Sequence, residues 1–214
     1  MSVRNKAVEF FISHEVLQFG DFTLKSGRKS PYFFNTGKLC SGEELSMLGA
    51  LYGELITSTP EFANATVIFG SAYKGIPIAV STSIAMSEKF GKPQIRSVSD
   101  RKEAKTHGDT GGFLGVLKAG DNVVIVDDVI TTGGTKLESI EKLTAAGCNI
   151  LGIVIAFDRM EPLSKSGGTA REEFAAQSKL PVLSLCTIED VIAVKPEFAS
   201  QYKEYQSRVV AELQ

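Results

Sequence analysis

"VVIVDDVITTGGT", Val123 to Thr135, runs four apolar residues into two adjacent aspartates and then into a loop of hydroxyls and glycines. Apolar residues in unbroken succession mark a short strand buried on both faces, as in a parallel sheet covered by helices. Leu137, Ile140 and Leu143 follow at helical spacing, so a helix starts just past Thr135. The loop between them brings backbone N–H groups to a helix N-terminus. Gly133 and Gly134 permit close approach, and Thr131, Thr132 and Thr135 add hydroxyls. That is a cradle for a phosphate. Asp127 and Asp128 would repel phosphate, so their natural partners are ribose hydroxyls or a magnesium ion that also touches a phosphate. A single aspartate after a strand more often just caps the turn, but two in a row beside an anion cradle fit that role poorly. The loop asks for a phosphorylated sugar.

Outward from this stretch the chain repeats one rhythm. "ATVIFG", "QIRSVS", "NVVIVDD" and "ILGIVIAFD" are apolar strand patterns, separated by helical patterns over 76–90 and 136–146. Strand, helix, strand at this spacing predicts α/β architecture, with parallel βαβ units and right-handed crossovers. "PVLSLC" adds one strand, and 197–213 a last helix. Before the repeat, apolar positions from Val3 to Leu17 predict a helix stopped by Gly20. "DFTLKSGRKSPYFFNTG" predicts two short strands joined by a basic turn. Ser41 and Glu44 form a capping box that opens a helix through Leu45, Leu48, Leu51 and Leu55. Segments 99–112 and 161–168 are poor in apolar residues and predict loops.

Composition excludes several function classes. The 214 residues carry a formal net charge of −2, which gives no broad basic face for nucleic acid or an anionic membrane. No run is long enough to span a bilayer, and the N-terminus lacks the apolar core of a signal peptide. Cys40, Cys148 and Cys186 are odd in number and far apart, which suits a reducing cytoplasm rather than a disulfide frame or a zinc site. A single domain over 1–214 is expected.

In an open parallel sheet, ligands gather at the carboxyl ends of the strands. The loops there are "GSAYKG", "SDRKEAKTHGDTGG", "DDVITTGGT" and "DRME". Tyr73 and Lys74 close the first; Lys74 alone is an ordinary surface lysine, and on this edge it becomes a contact for pyrophosphate. Arg101, Lys102, Lys105 and His107 crowd the second, either as a solvated face or as cations closing over a leaving group. In "SPYFFN", Phe33 and Phe34 point to opposite faces, so at least one lies outside the main core and could meet a planar ring. Arg159 either meets a ligand carboxylate in a bidentate pair or pairs with Asp158 or Glu161. No G-x-x-x-x-G-K-[ST] loop and no G-x-G-x-x-G after a strand is present, which removes P-loop and Rossmann enzymes.

The opening stretch resembles the phosphoribosyl-pyrophosphate (PRPP) motif of the type I phosphoribosyltransferases. Together with "FTLKSGRKSPYFFNTG", "FGSAYKGIPIA", "DRKEAKTHG" and "FDR", it is similar, in order and spacing, to the orotate phosphoribosyltransferase family. The resemblance covers about 16–159. It implies a central, mainly parallel sheet flanked by helices, a small N-terminal hood over about 1–40 joined by C-terminal elements, a core sheet over about 60–160 and a mobile lid at 99–112. It also implies transfer of ribose 5-phosphate from PRPP to orotate with Mg2+ held mainly by PRPP near Asp127 and Asp128, and a homodimer sharing the lid between subunits. Carried over by residue, Lys25, Tyr73, Lys74, Arg101, Lys102, Lys105 and His107 would contact the pyrophosphate or form its lid. Asp127, Asp128, Val129, Ile130, Thr131, Thr132, Gly133, Gly134 and Thr135 would hold the ribose 5-phosphate. Phe33, Phe34, Thr131 and Arg159 would take orotate, and Lys102, Lys105, His107, Asp127 and Asp128 would serve catalysis. The family commonly has proline at Ser71, an acid at Thr106 and a shorter segment than "GDTGG". A purine phosphoribosyltransferase would share the aspartate loop without needing "SPYFFN" or Arg159. A non-catalytic regulator would need a DNA-binding module for which no length remains.

Overall fold

The computed structural model describes residues 1–24, 27–101, 112–131, 133–163 and 168–213. In chain order the elements are α1 (Val3–Ser13), β1 (Leu17–Thr23), β2 (Lys29–Phe34), α2 (Gly42–Ser58), β3 (Val67–Gly70), α3 (Gly75–Lys89), β4 (Arg96–Asp100), β5 (Phe113–Leu114), β6 (Asn122–Asp127), α4 (Gly134–Ala145), β7 (Asn149–Asp158), α5 (Ala170–Ser178), β8 (Val182–Thr187), α6 (Ile188–Val194) and α7 (Ala199–Glu212).

β1 and β2 pair antiparallel as a separate ribbon. The main sheet runs β5-β4-β3-β6-β7-β8, with every pair parallel except β4 with β5. The chain passes from β3 outward to β4, then returns to lay β6 on the other side of β3. The strand order therefore reverses between β3 and β6, and the crevice outside their carboxyl ends is the topological switch point.

The central strands are buried on both sides, which is why their sequences lack alternation. Val124 and Val126 of β6 join the core beneath α1, α2 and α3, whereas Val123 and Ile125 join the one beneath α4 and α5. The Ser41–Glu44 capping box is present.

The N-terminal helix is shorter than its apolar spacing predicts. It ends at Ser13, and Leu17 opens β1 opposite Phe34 instead of closing a helical turn. The His14 N–H returns to the Phe10 carbonyl, and Glu15 takes a left-handed φ of 53°, which ends the helix before Gly20 is reached. Gly20 lies inside β1, where the register shifts. An apolar residue such as Leu17 serves either period, and strand pairing decides. β5, with two residues, and α6, with seven, are too short for their apolar residues to show a period, and α5 buries Phe174 alone.

Candidate active site

Two loops meet at the switch point. After β3, Gly70 and Gly75 pack so closely that a Cβ on Gly70 would lie 2.0 Å from the Gly75 carbonyl oxygen. Only glycine allows "GSAYKG" to fold back so tightly into α3. The Ala72 N–H donates to Asp100 Oδ1 at the end of β4 (2.7 Å), and the Ser71 and Ser139 hydroxyls are 3.1 Å apart, tying the loop to α4. Ser71 thus has a buried polar partner.

After β6, the chain turns through Asp127 to Gly133. Gly133 has φ +76°, and a Cβ there would lie 2.2 Å from the Phe174 ring, so this position also requires glycine. The aspartates are buried and each is met by a lysine. Lys136 donates to Asp127 Oδ2 and Lys74 to Asp128 Oδ2, both at 2.6 Å. The Val129 N–H donates to Asp128 Oδ1 (2.9 Å), and the Tyr52 hydroxyl fixes the Asp127 carbonyl (2.8 Å). Burial raises the Asp127 pKa and the Asp128 charge adds to that, while Lys136 opposes both.

The helix starts divide into two groups. α2, α5 and α6 each carry a full capping box, and α1 is capped by Ser2. α7, which runs on directly from the 3-10 turn Pro196–Phe198, has no side-chain cap, and among the described residues α3 and α4, which begin at the switch point, have none either. The N-terminal N–H groups of α3 and α4 and the positive ends of their dipoles therefore remain available to an anion. Thr131, Gly134 and Thr135 are exposed around the α4 start.

Beside this crevice lies a cavity of 240 Å³ whose lining includes Leu24, Arg28, Ile130, Thr131, Arg159 and Glu161. Thr131 and Arg159, expected on one ligand, share it. Of the alternatives for Arg159, the structure realises an ion pair with Glu161 (2.9 Å), while Asp158 pairs with Arg171 instead (2.5 Å). Burial works against the Arg159 charge, and Tyr32 and Glu161 more than offset it, holding its proton above the usual arginine value. Phe33 and Phe34 do point apart. Phe34 stacks on Phe157 (4.8 Å between centroids), whereas Phe33 lies at the surface stacked on Phe22 (5.6 Å), and neither lines the cavity. Tyr73 is exposed. Arg101 follows β4, where its N–H donates to the Gly112 carbonyl (2.9 Å). Lys25, Lys102, Lys105, His107 and Thr132 lie outside the described residues.

The sequence does not single out Lys136, and it offers Glu161 only as an alternative partner for Arg159. Lys136 stands three residues before Ser139 and seven before Leu143, on the buried stripe of α4, so a lysine at a core position was the visible signal. Glu161 had no such signal beyond its nearness to Arg159.

Among the described residues no three His, Cys, Asp or Glu side chains cluster as a metal site, and no helix is long and apolar enough to cross a membrane.

The family described as "Phosphoribosyl transferase domain" matches residues 49–177. An orotate phosphoribosyltransferase from Nitrosococcus oceani is 40% identical over 209 residues, covering 96% of this chain and 93% of that protein. One from Shigella sonnei is 44% identical over 196 residues, covering 90% and 89%. The crystal structure of the Francisella tularensis orotate phosphoribosyltransferase superposes with a TM-score of 0.81 at 33% identity, covering 94% of this chain and 97% of that one. With its switch-point crevice and with these relatives along nearly its whole length, the chain belongs to the orotate phosphoribosyltransferase family, pentosyltransferases of type I phosphoribosyltransferase fold.

Proposed function

We propose a division of labour for the reaction that joins orotate to the ribose 5-phosphate of PRPP, giving orotidine 5′-phosphate and pyrophosphate. The observation that carries it is the pair of uncapped helix starts at the switch point, beside Asp127, Asp128 and the Arg159 cavity. Residues 131–135 take the 5-phosphate on the α4 N-terminus. Val129 and Ile130 carry the backbone past the ribose. Lys74, only half-buried, leaves Asp128 for the pyrophosphate, and the freed carboxylate accepts from a ribose hydroxyl. Tyr73 and Lys25 flank the pyrophosphate, with Thr131 and Arg159 on the orotate; Phe33 and Phe34, which lie off the cavity lining in this structure, would reach the orotate ring only by moving.

Breaking the C1′–oxygen bond builds positive charge on the ribose, which Asp127 and Asp128 favour electrostatically; no covalent nucleophile is needed. Mg2+ bound to PRPP, near these aspartates, would neutralise charge on the departing pyrophosphate. Arg101, Lys102, Lys105 and His107 complete this as a lid over 99–112. Asp100 pairs with Phe113, so the two ends of the segment stand side by side at the sheet edge, a placement that supports the reading. Closing the lid would also exclude water from the activated sugar.

The same reading includes one domain over 1–214, a cytoplasmic location and a homodimer sharing the lid. The free thiols Cys40, Cys148 and Cys186 suit a reducing compartment. Exposed Val80 and Ile84 on α3, with exposed Tyr73 just before it, form an apolar outer face suited to a second copy. Orotate-dependent release of pyrophosphate, with and without magnesium and with purine bases as alternatives, tests the assignment. Turnover with adenine, or orotate turnover unchanged by Arg159→Ala, would refute the acceptor role of this cavity.

A further inference from the structure

We infer that Glu161 is a positioning residue for recognition of the acceptor's carboxylate, working through Arg159; this rests on the proposed role of Arg159. Two hydroxyls donate to one carboxylate oxygen, and a guanidinium forms an ion pair with it. Glu161 Oε1 accepts from the Tyr32 hydroxyl at 3.0 Å and the Tyr205 hydroxyl at 2.7 Å, and Arg159 Nη2 lies 2.9 Å away. Arg159 Nε donates in turn to the Tyr32 hydroxyl at 3.2 Å. The guanidinium is therefore held on its Nε–Nη2 side, by a hydrogen bond at Nε and an ion pair at Nη2. Its Nη1–Nη2 edge has no hydrogen-bond partner among the described residues, and it belongs to a side chain that lines the 240 Å³ cavity.

An unconstrained arginine presents five N–H donors in any of several orientations. One whose side edge is occupied can offer only its end edge, which is the geometry a planar carboxylate takes in a two-bond pair. The grip comes from three separate parts of the chain. Tyr32 lies on β2, Glu161 follows β7 and Tyr205 lies on α7. The backbone beneath is fixed as well, since Tyr202 of α7 donates to the Arg159 carbonyl (3.0 Å) and Asp158 Oδ1 accepts from the Met160 N–H (2.9 Å). Glu161 also offsets the charge of Arg159, so the cavity discriminates by the direction of its donors more than by net attraction for anions. That suits an acceptor whose carboxylate is fixed in the plane of its ring.

The test compares binding of orotidine 5′-phosphate with that of uridine 5′-phosphate, which differs only by lacking the carboxylate. Calorimetry on wild type, Glu161→Ala, Glu161→Gln and Arg159→Ala reads the ratio of the two affinities. The ratio is expected to fall about tenfold or more in Glu161→Ala, since misplacing a binding group by a fraction of an ångström is costly. It falls less in Glu161→Gln, whose amide oxygen still accepts from both tyrosines although the ion pair is lost. Uridine 5′-phosphate affinity and the KM for PRPP stay close to wild type. A ratio kept in Glu161→Ala but lost in Arg159→Ala would overturn the inference and leave the Arg159 reading standing. A ratio kept in both would overturn the reading of Arg159 itself. Equal loss of both nucleotides in Glu161→Ala and Glu161→Gln would reduce Glu161 to a structural residue and overturn the positioning role.

Discussion

The ends of β6 and β7 are built alike and charged oppositely. Each strand closes on a buried aspartate held by a cation from the helix that follows: Asp127 by Lys136 of α4, and Asp158 by Arg171 of α5. The next residue is Asp128 in one case and Arg159 in the other, each with a counter-ion of its own, Lys74 or Glu161. The comparison separates anchor from reader. The strand-end aspartate fixes the loop, and the residue after it is the one the proposed function sets against the ligand. The readers differ in how they are released. Lys74 has 48% of its side chain exposed and can move away from Asp128, whereas Glu161 is held by two tyrosines and stays with Arg159. In the proposed reading, one strand end opens to accept sugar hydroxyls and the other keeps a fixed donor edge for an acceptor carboxylate.

The largest expected effect comes from breaking the deeper anchor. Lys136 has 5% of its side chain exposed, so Lys136→Met leaves Asp127 charged, buried and without its lysine, at a cost of about 3–5 kcal/mol. Urea unfolding should show the midpoint falling sharply; a loss near zero would mean Asp127 is not held by that pair. Asp128→Asn keeps shape and removes charge at the reader. It should lower kcat on the order of 100-fold while leaving the unfolding midpoint nearly unchanged, as expected for loss of a group that stabilises developing charge. Arg171→Met breaks the matching anchor on β7. Because 29% of the Arg171 side chain is exposed, water can reach the site, and a smaller loss of about 1–3 kcal/mol is expected by the same unfolding assay. If Arg171→Met cost as much as Lys136→Met, the two strand ends would not differ in depth.

Much of this contrast was legible in the sequence, because it depends on patterns that only one structure satisfies. An unalternated apolar run ending in paired acids located β6, the sheet type and the edge that carries chemistry. The "S-x-x-E" box located the start of α2. Pairings between distant residues were not legible. Nothing in the order of residues says that Lys74 meets Asp128, or that Tyr32, Glu161 and Tyr205 converge, since those contacts join segments 54, 129 and 44 residues apart. The exit from α1 was misplaced for a related reason. Leu17 fits a helix by local spacing, and its strand partner Phe34 is non-local.

The smallest effect is a matter of sign, and it sets the two ends of β6 against each other. Asp127, at the carboxyl end, has a pKa raised by burial and by Asp128 against the pull of Lys136. Its folded value therefore lies above the unfolded value of about 3.9, and between the two the native state holds a proton that the unfolded chain has released. Stability from this group is fully present below the unfolded value and is lost as pH rises through the folded one. Asp121, just before the amino end of β6, is shifted the other way: burial raises its pKa, but bonds from Arg96, the Lys118 N–H and Thr66 outweigh that and lower it. Its contribution is present above the unfolded value and is lost as pH falls. Unfolding free energies of wild type, Asp127→Asn and Asp121→Asn, measured from pH 3 to 7, separate the two. The wild-type advantage over Asp127→Asn should shrink as pH rises, and that over Asp121→Asn should grow, each by less than about 1.4 kcal/mol per pH unit, the limit for one proton. Slopes of the same sign would mean that the ligand-facing end of the strand carries no electrostatic strain of its own, and that Lys136 neutralises Asp127 as fully as Arg96 neutralises Asp121.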